Sequence, residues 1–279
     1  IGGGFFSWLA GEDNIHQLRR PVAVTVNSRN TLYVADLSGA IFSFNPDTKE
    51  SIRQDHAVGE ALISPVSLAV GNGDSLYVID SALRKLIVYD ADLNPIYNFS
   101  QEFVRPSSVV FNQDMNSYYV ADAGANKVYV IRPNGSIDEL IGPNSAQPYK
   151  LNTPTHLCTK DNRLYVTDAY NFKIKIFDTD GVLQDSLGQL GKTTGSFARP
   201  KGVAVDNDDH TYVVDALFGN IQIFDDQGSL LLFFGESSKM NPGGFSLPNG
   251  IFIDDANKIY VADTYHGSVQ VFQYLSVGG

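Results

Sequence analysis

One four-residue string organises this chain. Tyr-Val-x-Asp occurs six times, ending at Asp36, Asp80, Asp122, Asp168, Asp215 and Asp263. Successive copies are 44, 42, 46, 47 and 48 residues apart. Pro21, Pro65, Pro106, Pro154, Pro200 and Pro248 precede them, each 14 to 16 residues upstream of its Asp. Six strings in step with six prolines are not coincidence, and a repeat of about 40–50 residues is the mark of a solenoid or a propeller.

The content of the repeat decides between the two. Each copy holds an apolar strand A after the proline (VAVTV, GVAVD), strand B ending in the Asp (LYVAD), strand C (IFSFN, IQIFD) and a weaker strand D (LLLFF). The links are polar and rich in turn formers, such as NSRN, GNGDS, RPNGS and DDQGS. No window carries a helical period, which excludes helical solenoids. Strands A and B are apolar on both faces, so both faces of each sheet are buried. Four-stranded sheets buried on both faces and repeated six times form a ring of blades, an all-β, six-bladed β-propeller of antiparallel blades spanning residues 1–279 as one domain. The sixth repeat stops after VQVFQ without a strand D of its own. The N-terminal FFSWLAGE has the look of a missing strand D, so residues 5–12 are expected to complete blade six against Val269–Phe272.

The formal net charge of −11 argues against nonspecific nucleic-acid binding and against anionic membranes. The longest dense apolar run, Leu230 to Phe234, is far too short to span a bilayer. Cys158 is the single cysteine, so no intrachain disulfide forms and cysteine usage does not fix the compartment. The chain opens at Ile1 rather than Met and is read as a processed form.

The pattern in RPKGVAVDNDDHTYVVDALFGNIQIFD and LPNGIFIDDANKIYVADTYHGSVQVF resembles the NHL repeat, and the resemblance covers about residues 5–275. It implies the same six-bladed propeller. It does not imply one function: relatives include RNA-binding domains of animal ubiquitin ligases, a metal-dependent lyase that finishes peptide amidation, and exported bacterial proteins that act as binding scaffolds. By analogy with the last group, a periplasmic or extracellular location is expected.

Positions shared by all six copies are architectural. The six Asp residues are expected to cap the B-to-C turns through backbone amides, and the repeated tyrosines to pack between blades. With strand A innermost, the B-to-C turns and D-to-A links share one face, here the top; the A-to-B and C-to-D turns form the bottom. His16, His56 and His266 belong to the top and His210 to the bottom. The second residue after each proline is Ala23, Ser67, Ser108, His156, Gly202 and Gly250, so His156 stands out near the channel mouth. It is a channel-lining imidazole or, alternatively, a catalytic base or a ligand for zinc or calcium in a lyase-like or hydrolase-like site. No nucleophile elbow, phosphate loop or zinc-protease string is present.

The B-to-C turns of blades four to six carry Tyr170, Phe172, Leu217, Phe218, Tyr265 and His266, whereas the first and third turns are small and polar. Lys201 and Asn249, just after their prolines, are placed to add polar contacts at the inner rim. The expected function is a noncatalytic module, monomeric or within a larger assembly, that binds a protein or peptide on the top face without a cofactor; a metal-dependent lyase or hydrolase at His156 is the alternative.

Overall fold

A computed structural model describes the backbone of residues 2–6 and, with side chains, residues 17–99, 103–142, 146, 148–238 and 243–273. Six four-stranded antiparallel sheets form the blades of a propeller. The inner strands are Pro21–Val26, Pro65–Val70, Pro106–Asn112, Pro154–Lys160, Pro200–Val205 and Pro248–Ile253. Each begins on its proline, the one strand position where a missing N–H and a fixed φ cost least. Strands B, C and D follow outward in every blade, and a small hairpin, His56–Ala57 with Glu60–Ala61, decorates the link from blade one to blade two. Among the described residues no helix is long and apolar enough to cross a membrane.

Blade six takes its outer strand from the other end of the chain. Gly2–Phe6 pairs antiparallel with Ser268–Gln273, placing Phe6 opposite Val269 and Gly3 opposite Phe272. The closing strand therefore starts nearer the N-terminus than the expected residues 5–12, and residues 7–12, Trp8 among them, lie outside the described residues.

The core is divided into six layers, one at each junction between blades. Tyr33, Ile41 and Val78 fill the junction of blades one and two. Val34, Phe42, Ala262 and Val269 fill the one that closes the ring. The repeated tyrosines serve these layers: Tyr33 is fully buried and its hydroxyl crosses to the next blade, donating to the Ala91 carbonyl at 2.9 Å.

The six Asp residues that end strand B are completely buried. Asp122 is representative of blades one, two, three and five. It accepts Gly124 N–H and Ala125 N–H, both at 3.0 Å, in the B-to-C turn, and Val104 N–H at 2.7 Å and Arg105 N–H at 2.9 Å from the link into its own strand A. The backbone turn cap expected from the sequence is present in these four blades, whereas Asp168 and Asp263 meet their turns through the side chains of Asn171 and His266. The cap is one half of the arrangement, because the carboxylate also ties down the D-to-A link. Blade four adds a cation: Lys175 Nζ lies 2.9 Å from Asp168 Oδ2 and donates to Lys150 O at 2.6 Å, with both side chains out of solvent. In blades five and six the same strand position holds Gln222 and Gln270, whose amides likewise donate to the D-to-A link, and Gln270 also donates to Asp263 Oδ2 at 2.9 Å.

Two outcomes test this architecture. Deleting residues 1–6 removes a five-residue strand, and at about 1 kcal/mol net per lost backbone hydrogen bond stability falls by about 2–4 kcal/mol in chemical denaturation; an unchanged midpoint contradicts the closure. Lys175→Ala strands the Asp168 carboxylate and costs about 3–5 kcal/mol, whereas Lys175→Gln, which copies blades five and six, recovers more than half of that loss. Equal losses for the two variants contradict the role given to the ion pair.

Candidate functional site

The inner strands enclose an axial well of about 880 Å³. Its walls come from all six blades, and it opens on the bottom face between A-to-B turns that carry Asp74, Asp114, Asp161 and Asp254. At the top the strands draw together. A Cβ on Gly202 would lie 2.7 Å from Asn249 O, and one on Gly250 would lie 2.6 Å from Val22 O, so these two positions exclude a side chain and let blades five, six and one converge.

Strand A of every blade has a register irregularity just after its proline. In blades one to three the ladder resumes at Ala23, Ser67 and Ser108. In blades four to six it resumes only at Leu157, Val203 and Ile251. Thr155-His156, Lys201-Gly202 and Asn249-Gly250 are thus released from the ladder, and a bulge re-aims the side chains it carries. Here it brings together residues far apart in the chain. His156 Nε2 meets Asn249 Oδ1 at 3.0 Å, spanning from blade four to blade six. Lys201, half-buried on blade five between them, is near enough to act on the imidazole electrostatically. Burial first, and then the Lys201 charge, push the His156 pKa down to about 3 against the pull of Asn249. The ring is therefore neutral at physiological pH. Its Nε2–H donates to the Asn249 carbonyl oxygen, while Nδ1 is buried without a partner.

That pattern does not fit a histidine metal centre. His156 offers one free nitrogen, and the other described histidines are engaged elsewhere. His266 Nδ1 meets Asp263 Oδ2 at 2.6 Å, His210 Nδ1 meets Asp206 Oδ2 at 3.1 Å, and His56 pairs with Asp55. His16 lies outside the described residues. Asp206, Asp208 and His210 do cluster within ligand range of one another on the bottom face. Their contacts are those of the turn itself, since Asp206 accepts Asp208 N–H, His210 N–H and the Tyr212 hydroxyl, all at 2.9 Å. Cys158 is half-buried on the channel wall, and burial pushes its thiol up to about 12, far from a reactive thiolate.

On the top face the structure divides the six predicted turn residues. Tyr170, Leu217 and Tyr265 are 66%, 63% and 65% exposed. They occupy the same place, two residues beyond the buried Asp, on three consecutive blades. The backbone beneath them is pinned: Leu217 N–H donates to Asp215 Oδ1 at 3.0 Å, Tyr170 N–H to Asn152 O at 3.1 Å and Tyr265 N–H to Ser246 O at 2.9 Å. Phe172 turns inward. With its backbone in the left-handed region (φ 54°), it packs against the core shared by blades four and five. Phe218 is half-buried, and His266 is held down by Asp263.

Sequence reading passed over the residues immediately before the prolines. They are Arg20, Ser64, Arg105, Thr153, Arg199 and Leu247. Three arginines on alternating blades were visible as a pattern, but only the fold shows that two of them, Arg105 and Arg199, are near enough to act on Lys201 electrostatically.

No curated protein sequence matches the chain. Solved structures similar to it show the fold. Virginiamycin B lyase from Staphylococcus aureus, in a catalytically inactive form with quinupristin, is 14% identical with a TM-score of 0.66, covering 97% of this chain and 87% of that one. A gluconolactonase from Xanthomonas campestris is 16% identical with a TM-score of 0.69, covering 91% and 86%. An auxiliary nutrient binding protein from Bacteroides thetaiotaomicron is 12% identical with a TM-score of 0.72, covering 91% and 69%. The NHL repeat model matches residues 245–272. The teneurin NHL domain model matches residues 48–242, well over half of the sequence, and the chain belongs to that family.

Proposed function

We propose that this propeller is a noncatalytic binding module that takes a protein or peptide partner on its top face. The observation that carries the reading is the set Tyr170, Leu217 and Tyr265. Three large side chains project into solvent from equivalent turn positions on adjacent blades, while blades one to three have Ser38, Ala82 and Gly124 at that position. Exposed apolar side chains gathered on one face of a rigid scaffold mark an interaction surface. The pinned backbones lower the ordering cost of binding, and aromatic anchors in protein interfaces commonly contribute about 1–3 kcal/mol each.

A metal-dependent lyase or hydrolase near His156 is the alternative expected from the sequence, and a lyase and a gluconolactonase are among the structural neighbours. Among the described residues its support at the channel is His156, a neutral imidazole already committed to Asn249.

The test is a selection from a displayed random-peptide library against the immobilised protein. The enriched peptides bind the parent protein and lose at least tenfold in affinity to Tyr170→Ser/Leu217→Ser/Tyr265→Ser. That variant keeps its melting temperature within a few degrees, because exposed substitutions shift stability by about 0.5 kcal/mol or less each. Peptides that bind parent and variant equally place the interaction elsewhere and contradict the proposal.

A further inference from the structure

Positive charge is scarce on this chain, 20 Lys and Arg against 31 Asp and Glu, yet it gathers at one place. Arg105 and Arg199 stand on the D-to-A links of blades three and five, and Lys201 follows one residue after Pro200. The tops of these blades are hydrogen-bonded to one another through blade four. Ser107 Oγ donates to Pro154 O at 2.8 Å, and Thr167 Oγ1 donates to Lys201 O at 2.7 Å. Both arginines are exposed and Lys201 is half-buried. None of the three forms an ion pair among the described residues, although nine other pairs are present. Arg20 on blade one differs, since its guanidinium donates to Leu37 O at 2.9 Å.

The two arginines act on Lys201. The Lys201 ammonium is driven below its ordinary pKa by burial, then by Arg199, then by Arg105. Like charges held together and partly desolvated, with no ion pair to a carboxylate among the described residues, raise the energy of the empty protein. Neutral donors border the same spot. Thr155, which holds in blade four the place of Lys201, has a buried hydroxyl with no partner. Asn249 holds that place in blade six. Because His156 Nε2–H takes its carbonyl oxygen, the two amide N–H groups of Asn249 are left for the mouth. His156 is in this view a positioning residue, kept neutral so that it fixes the orientation of the amide.

We propose that the top mouth of the propeller is an anion-binding site, in which Lys201, Arg105 and Arg199 hold a carboxylate or phosphate group while Thr155 and Asn249 supply neutral hydrogen bonds. Forked guanidinium donors suit both groups. The proposal rests on the inner rim and is independent of the aromatic turn tips.

The experiment is a titration of the full chain at low ionic strength with inorganic phosphate and, separately, with N-acetylaspartate, followed by melting temperature and calorimetry. Sodium chloride at matched ionic strength is the reference. At least one probe raises the melting temperature saturably beyond the chloride reference, and which probe does so names the group recognised. Arg199→Gln and Lys201→Met each weaken that binding at least tenfold, whereas Arg53→Gln, on the outer strand of blade one, leaves it unchanged. Without ligand, Lys201→Met melts above the parent protein because the repulsion is gone. Arg199→Gln removes only an exposed side chain and keeps the fold, so the binding result does not depend on Lys201→Met being well behaved. Failure of both probes to exceed chloride, or equal binding by Arg199→Gln and the parent protein, overturns the proposal.

Discussion

Each blade of this propeller hangs on a carboxylate that water does not reach. Burying a charge is costly unless hydrogen bonds replace its hydration; the Asp side chains of blades one, two, three and five obtain them from backbone N–H groups of two separate segments, and Asp168 and Asp263 obtain them from one backbone segment plus side chains of the turn, Asn171 and His266. Asp36 accepts Arg19 N–H at 2.8 Å and Arg20 N–H at 2.9 Å from the link before strand A, and Ser38 N–H at 2.8 Å from the turn after strand B. Asp80 does the same with Ile63, Ser64, Ala82 and Leu83. One side chain thereby fixes two top-face segments; four blades do so through backbone N–H groups alone, and blades four and six reach the turn through the Asn171 and His266 side chains. Asp263, where burial pushes the carboxyl up, adds His266 and Gln270 to its partners.

The consequence for function is a division of labour. The shared Asp and Tyr positions hold the frame, and what varies is what the frame presents. Blades four to six release two residues per blade from the inner ladder, carry the polar group His156, Lys201 and Asn249 there, and raise Tyr170, Leu217 and Tyr265 at the turn tips. Blades one and two put Val22 and Val66 at the inner position. The top face is thus asymmetric, with these polar groups and exposed side chains concentrated over half of the ring.

Much of the fold was legible because a repeat reports itself: six Asp, six Pro and a truncated last copy suffice for blade number and closure. The site was legible only in part. Which turn residues protrude was set by backbone conformation, since a left-handed φ swings Phe172 into the core while Tyr170, two residues earlier, stays out. The His156–Asn249 contact joins residues 93 apart in the chain and depends on bulges that no composition pattern reveals. Arg105 and Arg199 were readable as pre-proline residues, but their meaning required knowing that blades three and five face the same mouth. The Asp capping role was half read for a similar reason, as the second set of donors lies 16 to 18 residues upstream, beyond any local turn motif.

The central claim is that one buried Asp couples the D-to-A link to the B-to-C turn. Amide hydrogen exchange measured residue by residue on Asp122→Ala tests it most directly. The account predicts that Val104, Arg105, Gly124 and Ala125 all lose protection together, by about tenfold or more for each 1.4 kcal/mol of lost hydrogen bonding, while strand B of blade five, Thr211–Asp215, keeps the protection of the parent protein. Loss confined to Gly124 and Ala125, with Val104 and Arg105 unchanged, would show the carboxylate to be a local turn cap and contradict the account.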